Sequence, residues 1–94
     1  MLTTTPTTST RTILFAKVVD LNAGHDNGKQ LIDNGYKNGD ILAITKVDMG
    51  SSYTWITAMD GDVYNSVHFE FFDDQACLVP HDIYDDPMYN PYIR

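Results

Sequence analysis

The stretch from residue 34 to residue 61 reads NGYKNGDILAITKVDMGSSYTWITAMDG. It holds two runs rich in β-branched and aromatic residues, 41–49 and 53–59, each bounded by Gly-containing turns. Asn-Gly and Asp-Gly dipeptides tolerate positive φ, so they permit the tight turns that match the twist of paired strands. Such dipeptides occur at Asn27-Gly28, Asn34-Gly35, Asn38-Gly39 and Asp60-Gly61. The pattern predicts a small all-β domain.

Further strand patterns flank this stretch. Residues 13–21 predict a first strand with Leu14, Ala16 and Val18 on one face, and residues 30–33 fit a short strand or a turn. Residues 63–64 and 67–72 predict more strand, and residues 76–79 a last short strand ended by Pro80. A regular strand cannot bury Phe69, Phe71 and Phe72 together, so we expect the tail or a partner to cover Phe72.

The chain divides into three predicted parts. Residues 1–12 are Thr-rich with little apolar surface, which predicts a disordered leader. Residues 13–80 hold the predicted strands, and residues 81–94 form an acidic, aromatic extension. The extension has two interpretations: a linear binding motif, or a strap that covers an open edge strand, which its Tyr and Ile residues favour.

The charge is unevenly distributed along the sequence. The formal net charge is −7, and the stretch from Val47 to Ile93 holds nine acidic residues and no Lys or Arg. A field of this sign repels phosphate backbones, so direct nucleic-acid binding is disfavoured. It would have to use the lysines of the first half, Lys17, Lys29, Lys37 and Lys46. The charge favours a basic protein partner, or it serves only solubility.

No catalytic or metal-binding spacing stands out, and we expect neither an enzyme nor a cofactor. The pairs His25-Asp26 and His81-Asp82 lack the further ligands and spacing of a zinc site. Cys77 lies in the apolar run ACLV, where a thiol is typically a small core residue with a raised pKa. A single cysteine fits a reducing cytoplasm, and no apolar run is long enough to span a membrane.

The segments also resemble a known class of proteins. Gly39-Asp40-Ile41-Leu42-Ala43-Ile44 is similar to the strand after the diverging turn of SH3-like barrels. The order of the first strand, the aromatic strand at 53–56, Asp60-Gly61 and the strand at 67–70 resembles small uncharacterised SH3-like proteins of bacteriophages. The resemblance covers residues 13–72. It implies a five-stranded barrel, a binding role and, for a phage protein, the host cytoplasm.

Binding residues are expected among exposed acids and aromatics. Tyr36, Tyr53, Trp55 and Tyr64 either line one face as a recognition surface or, for Tyr53 and Trp55, pack in the core. The residues expected to bind a partner are Asp60, Asp62, Tyr64, Asp73, Asp74, Asp82, Tyr84, Asp85, Asp86 and Tyr89.

Two functions remain at this point. The first is a non-enzymatic module of phage type whose acidic face engages a basic host or phage protein, including a nucleic-acid-binding one. The alternative is a structural protein that assembles as a homo-oligomer or virion component through edge strands or exchanged tails.

Overall fold

The computed structural model describes residues 11–23 and 28–93. In this part of the chain, five antiparallel strands form one sheet in the order β4-β3-β2-β1-β5. The strands are β1 (Leu14–Val18), β2 (Ile41–Met49), β3 (Thr54–Ala58), β4 (Val63–Asn65) and β5 (Phe69–Phe72). One short helix, α1 (Lys29–Asp33), and two 3-10 turns, η1 (Ser66–His68) and η2 (Ile83–Asp85), complete the fold. The predictions of a β-rich domain and of five strands are confirmed.

Alternation along the strands builds the core. In β1, the predicted residues Leu14, Ala16 and Val18 are buried. In β2, Leu42 and Ile44 are buried and Lys46 is exposed, as expected. The core cluster consists of Leu14, Ala16, Val18, Leu31, Leu42, Ile44, Ile56, Ala58, Tyr64, Phe69, Phe71 and Ile83. Residues from all five strands, α1 and η2 therefore share one core.

Strand β2 pairs with two neighbouring strands. Its first half, from Ile41 to Ile44, pairs with β1, and its second half pairs with β3. The register shifts between Ile44 and Lys46, and the Thr45 hydroxyl donates to the carbonyl of Thr57 at 3.2 Å beside this irregularity. Such a bulge bends a strand and increases its twist. β2 is thus the long, irregular strand around which the sheet turns.

Three strand predictions are corrected by local hydrogen bonds. Residues 30–33 belong to helix α1, whose Leu31 is buried. Residues 67 and 68 lie in η1 because the Asn65 side chain accepts from the Val67 amide at 3.1 Å, so β5 begins only at Phe69. Residues 76–79 form turns instead of a strand, since the Asp74 carboxylate accepts from the amides of residues 78 and 79. Side-chain caps compete here with the sheet for backbone amides.

The segment after β5 returns to the edge of that strand. Pro80 forms an isolated antiparallel bridge with Phe72, and the His81 amide donates to the Phe71 carbonyl at 2.9 Å. The side chain of Ile83 is fully buried in the core. Phe72 is 8% exposed, as expected for a side chain that the tail helps to cover. Of the two interpretations of the extension, the structure shows the strap.

The predicted leader, residues 1–12, lies almost wholly outside the described residues, as do His25 and Asp26. Among the described residues, no helix is both long and apolar enough to span a membrane.

Candidate protein-interaction surfaces

The first group of predicted site residues surrounds the β3–β4 turn. Asp60 accepts hydrogen bonds from the hydroxyls of Tyr36 at 2.8 Å and Tyr64 at 2.7 Å, and from the Asp62 amide at 2.8 Å. Asn34 joins the group by donating to the Asp62 carboxylate and to the Tyr64 hydroxyl, both at 2.7 Å. These bonds fix the turn against the end of α1. Asp60 and Asp62 are therefore brought together, as part of a structural network.

The electrostatics of this network stabilise the charged carboxylate. Burial opposes ionisation of Asp60, but the Asp62 amide and the two tyrosine hydroxyls hold its pKa below the ordinary value. Burial and the hydrogen bond to Asp60 raise the pKa of Tyr36 to about 12, and the same two causes raise that of Tyr64. Both tyrosines stay protonated donors at neutral pH. Tyr64 is only 2% exposed, so the expectation that its ring lies on the surface is wrong.

The second group surrounds His81, which lies between two carboxylates. Its Nδ1 is 2.6 Å from Asp73 Oδ1, and its Nε2 is 2.6 Å from Asp86 Oδ2. Carboxylates only accept, so the protonated imidazolium satisfies both contacts by donating from each nitrogen. The Tyr89 ring contacts the imidazole edge to face, with centroids 5.5 Å apart. We call this arrangement the His81 clasp, because it ties the tail to the end of β5.

The pKa values of His81 and Asp86 in the clasp are shifted in the directions expected for an ion pair. The hydrogen bond to Asp73 raises the pKa of His81, burial opposes the rise, and Asp86 adds to it. The Met88 amide and then His81 lower the pKa of Asp86. Burial, with the nearby charges of Asp86 and Asp73, raises the pKa of Tyr89. His81 and Asp86 are thus both favoured in their charged forms.

Two other predicted acids shape the backbone beside the clasp. The Val79 amide is the first cause of the lowered pKa of Asp74, which caps the turn after β5. Asp82 caps η2 by accepting from the Tyr84 amide at 3.0 Å. The Tyr84 hydroxyl then hydrogen-bonds Ser66 in η1, while nearly half of the Tyr84 side chain stays exposed. The strap is thereby attached to β5 and to η1, the turn between β4 and β5.

The acids of β5, of the turn after it and of the strap make up a further acidic set. Glu70 and Asp82 line a groove of about 420 Å³ between β5 and the strap, whose floor includes the phenylalanines of β5 and Ile83. Asp85 is the last residue of η2, lies next to Asp86 in the chain and is exposed. We name the whole set the tail-side acidic surface: Glu70, Asp73, Asp74, Asp82, Asp85 and Asp86.

A third surface lies at the β2–β3 turn. Tyr53 and Trp55 are 49% and 45% exposed, so the interpretation that they pack in the core is wrong. Their ring centroids are 6.3 Å apart, with the planes inclined at 40°. Beside them is an open depression of about 380 Å³, lined also by Asp48 and by residues 49–52. Asp48 was not expected from the sequence to share a surface with these aromatic residues.

The structure also bears on the candidate nucleophile and metal ligands. Cys77 is only partly buried and lies in a turn with φ of 58°, so it is not a core residue. Burial nevertheless raises the pKa of its thiol. In residues 11–23 and 28–93, no group of three or more His, Cys, Asp or Glu is arranged to hold a metal ion.

The His81 clasp was missed by sequence reasoning. The sequence pairs His81 with Asp82 and Asp73 with Asp74, whereas the structure joins His81 to Asp73 and Asp86. The available signal was indirect: the expectation that the tail covers Phe72 requires residues after Pro80 to return to β5.

Comparison with known proteins identifies the family of this chain. No curated protein and no solved structure matches it. The family model described as bacteriophage T4 protein Y07B matches residues 13–94, which include every strand and the whole strap. The chain belongs to this family of bacteriophage proteins.

Proposed function

We propose that the sheet curls into an SH3-like barrel. Its two outermost strands, β4 and β5, are joined only by the 3-10 turn η1, between Asn65 and Phe69. Four peptide links reach at most about 15 Å, with consecutive Cα atoms about 3.8 Å apart. In a flat sheet the outermost of five strands would lie about 19 Å apart, given about 4.8 Å between neighbours. The short connection therefore requires strong curvature, which the bulge in β2 supplies.

We further propose that the protein is a non-enzymatic binding module that engages a basic protein in the cytoplasm of the infected host. The observation that carries this proposal is the tail-side acidic surface, whose six carboxylates lie on β5, in the turn after it and in the strap. Hydrogen bonds lower the pKa values of Asp74 and Asp86, so these groups hold their charge. Among the described residues of these elements the cation is His81, which is already paired, and Lys17 of the neighbouring strand β1 stands opposite Glu70.

Such a surface attracts cationic segments over a range set by salt. Screening shortens this range from about 10 Å in 0.1 M salt to about 3 Å in 1 M salt, so binding should weaken steeply as salt is added. A basic partner could itself be a nucleic-acid-binding protein, because those proteins carry clustered Lys and Arg. The same field disfavours direct binding of DNA or RNA by this face.

A pair of double variants tests the surface. Glu70→Gln with Asp85→Asn removes two charges from the tail-side acidic surface, and Asp33→Asn with Asp62→Asn removes two near the β3–β4 turn. Each pair changes the formal charge from −7 to −5. The probe is a synthetic lysine-glycine repeat peptide, with the dissociation constant measured by calorimetry across a salt series.

We expect the tail-side pair to weaken binding by about threefold to tenfold, since exposed charge pairs contribute about 0.2–1 kcal/mol each. The turn-side pair should have less than half that effect on the free energy. Equal losses from both pairs would show that net charge alone attracts the peptide. A dissociation constant that changes neither with salt nor in either double variant would contradict the proposal.

Assembly into a homo-oligomer is the second candidate. Strand β4 is an end strand of the sheet, and its Val63 side chain is 50% exposed. An end strand with an exposed apolar side chain is suited to pairing with a second copy. Light scattering in high salt separates the candidates, because an oligomer held by apolar contacts persists there while a charge-driven complex dissociates.

A further inference from the structure

The exposed aromatic pair at the β2–β3 turn belongs to neither the core nor the tail-side acidic surface. Tyr53 and Trp55 point outward beside the open depression, and Trp55 stands directly opposite Asp48 in the β2–β3 ladder. Two neighbouring aromatic rings with a carboxylate beside them provide π-faces and a hydrogen-bond acceptor in the same place. Aromatic residues left exposed in this way are typical of binding hot spots.

We propose that Tyr53, Trp55 and Asp48 bind an arginine side chain of a cationic partner. A guanidinium stacks on an aromatic face and donates from its edge to a carboxylate, so one arginine uses both features of this surface. Lysine fits less well, because its ammonium is a compact, strongly hydrated charge without a planar face. The depression beside the rings is open enough for the side chain to enter from solvent.

The Asp48 carboxylate beside the rings, in an acidic chain, favours a cation over other occupants. From Val47 to Ile93 the chain has nine acidic residues and no Lys or Arg. Among the described residues, Lys46 pairs with Asp48, with its Nζ 3.4 Å from Asp48 Oδ2. Both side chains are more than 60% exposed, so this pair is accessible to exchange. We infer that an incoming arginine displaces Lys46 from Asp48.

This displacement predicts opposite changes in arginine affinity for substitutions at two positions of β2. Asp48→Asn removes the acceptor and should weaken arginine binding. Lys46→Gln removes the competing cation and should strengthen it, beyond the general effect of one more negative charge. Lys29→Gln is the matched control, because Lys29 also pairs with an exposed aspartate, Asp33, and the substitution changes the net charge equally.

The probe is a short glycine-serine peptide with two arginines, compared with the same peptide carrying lysine or citrulline. Trp55 is the only tryptophan in the chain, so its fluorescence and the shift of its indole N–H resonance report on this site directly. We expect a saturable change with arginine, at least about threefold weaker binding with lysine, and none with citrulline, which keeps the shape without the charge. Asp48→Asn should weaken binding by about threefold to tenfold, and Lys46→Gln should strengthen it by about twofold to fivefold relative to Lys29→Gln.

The inference shares with the proposed function the idea of a cationic partner, and the same titration separates their failures. If the arginine peptide shifts resonances only at the tail-side acidic surface, the aromatic site is overturned and the proposed function stands. Shifts at neither surface would overturn both. Equal binding of arginine and citrulline, or equal effects of Lys46→Gln and Lys29→Gln, would overturn the displacement mechanism. Tyr53→Ala gives a second check that does not remove the fluorescent reporter.

Discussion

The most direct test of the strap is the substitution Ile83→Ala. Ile83 is fully buried and belongs to the core cluster, although it lies after the last strand. The change removes three carbon atoms, which at about 0.8 kcal/mol per buried methylene corresponds to about 2.4 kcal/mol. The cavity left behind adds to this loss, and buried Ile→Ala changes typically cost 2–5 kcal/mol in total. We therefore expect the free energy of unfolding to fall by about 3 kcal/mol.

Urea denaturation followed by tryptophan fluorescence and by circular dichroism measures this loss. A small domain has about 5–15 kcal/mol of stability, so the midpoint should move clearly to lower urea. Met88→Ala is the control, because Met88 lies in the same segment and is 81% exposed. It should change the free energy by less than about 0.5 kcal/mol.

The outcome decides whether the strap is part of the folding unit. A loss below about 1 kcal/mol for Ile83→Ala, similar to that for Met88→Ala, would refute the reasoning, because it would mean that the tail leaves the core at little cost. Two separate transitions, one local to the tail, would refute it as well, since a shared core unfolds cooperatively.

Three further substitutions test other parts of the structure. His81→Gln should remove the stabilisation that the clasp gives to the folded protein. That stabilisation is fully present below the ordinary histidine pKa of 6.5 and is lost as pH rises through the raised pKa of the folded state. The melting temperatures of the wild-type protein and the variant should therefore converge at alkaline pH. Gly28→Ala should destabilise far more than Gly35→Ala in urea: both glycines have positive φ, but a Cβ at Gly28 would lie 2.2 Å from the Leu21 carbonyl oxygen. Tyr64→Phe should cost about 1–2 kcal/mol on thermal unfolding, because it removes the hydroxyl that bonds Asp60, and should leave binding of the lysine peptide unchanged.

The strands that the sequence predicted well are those in which several signals agree. For β2, the Gly39-Asp40 turn precedes an aliphatic run, and its bounds of Ile41–Met49 match the expectation at both ends. For β1, strict alternation predicted the buried face correctly. In both, turn chemistry, β-propensity and periodicity favour the same structure, and such local agreement is what makes a segment predictable.

The errors arise where a side chain competes with the ladder. The residues around Val67 look like strand, but the Asn65 cap satisfies the Val67 amide locally and a 3-10 turn forms. Asp74 acts in the same way on the run that contains Cys77. The exposure of Trp55 was undecidable from alternation, because both faces of β3 carry apolar residues. The pairing between β2 and β3 decides the question. Ile56, the neighbour of Trp55 in β3, pairs with Val47, which packs on the core, so the Trp55 side chain points to the opposite face of the sheet.

The candidate surfaces depend on long-range contacts, which explains why the sequence revealed only part of them. Acidity after Val47 is visible in the sequence, but the division of the acids into two groups depends on where the chain returns. Asp60 and Asp62 are drawn to α1 by Asn34 and Tyr36, whereas Asp73 and Asp86 are joined through His81. No spacing rule connects residues 73, 81 and 86.

The aspartates of this chain combine structural and electrostatic roles. A carboxylate that accepts a backbone amide is held in its charged form, because protonation would weaken that hydrogen bond. Asp74 and Asp86 accept amides within turns, and their pKa values fall below 3.8 for that reason. The bonds that shape the turn after β5 and the strap therefore also favour the charged forms of these two carboxylates. It follows that the arrangement of charges on the tail-side acidic surface is a property of the folded strap, and that opening the strap would change the shape of this surface and remove the cause that lowers the pKa of Asp86.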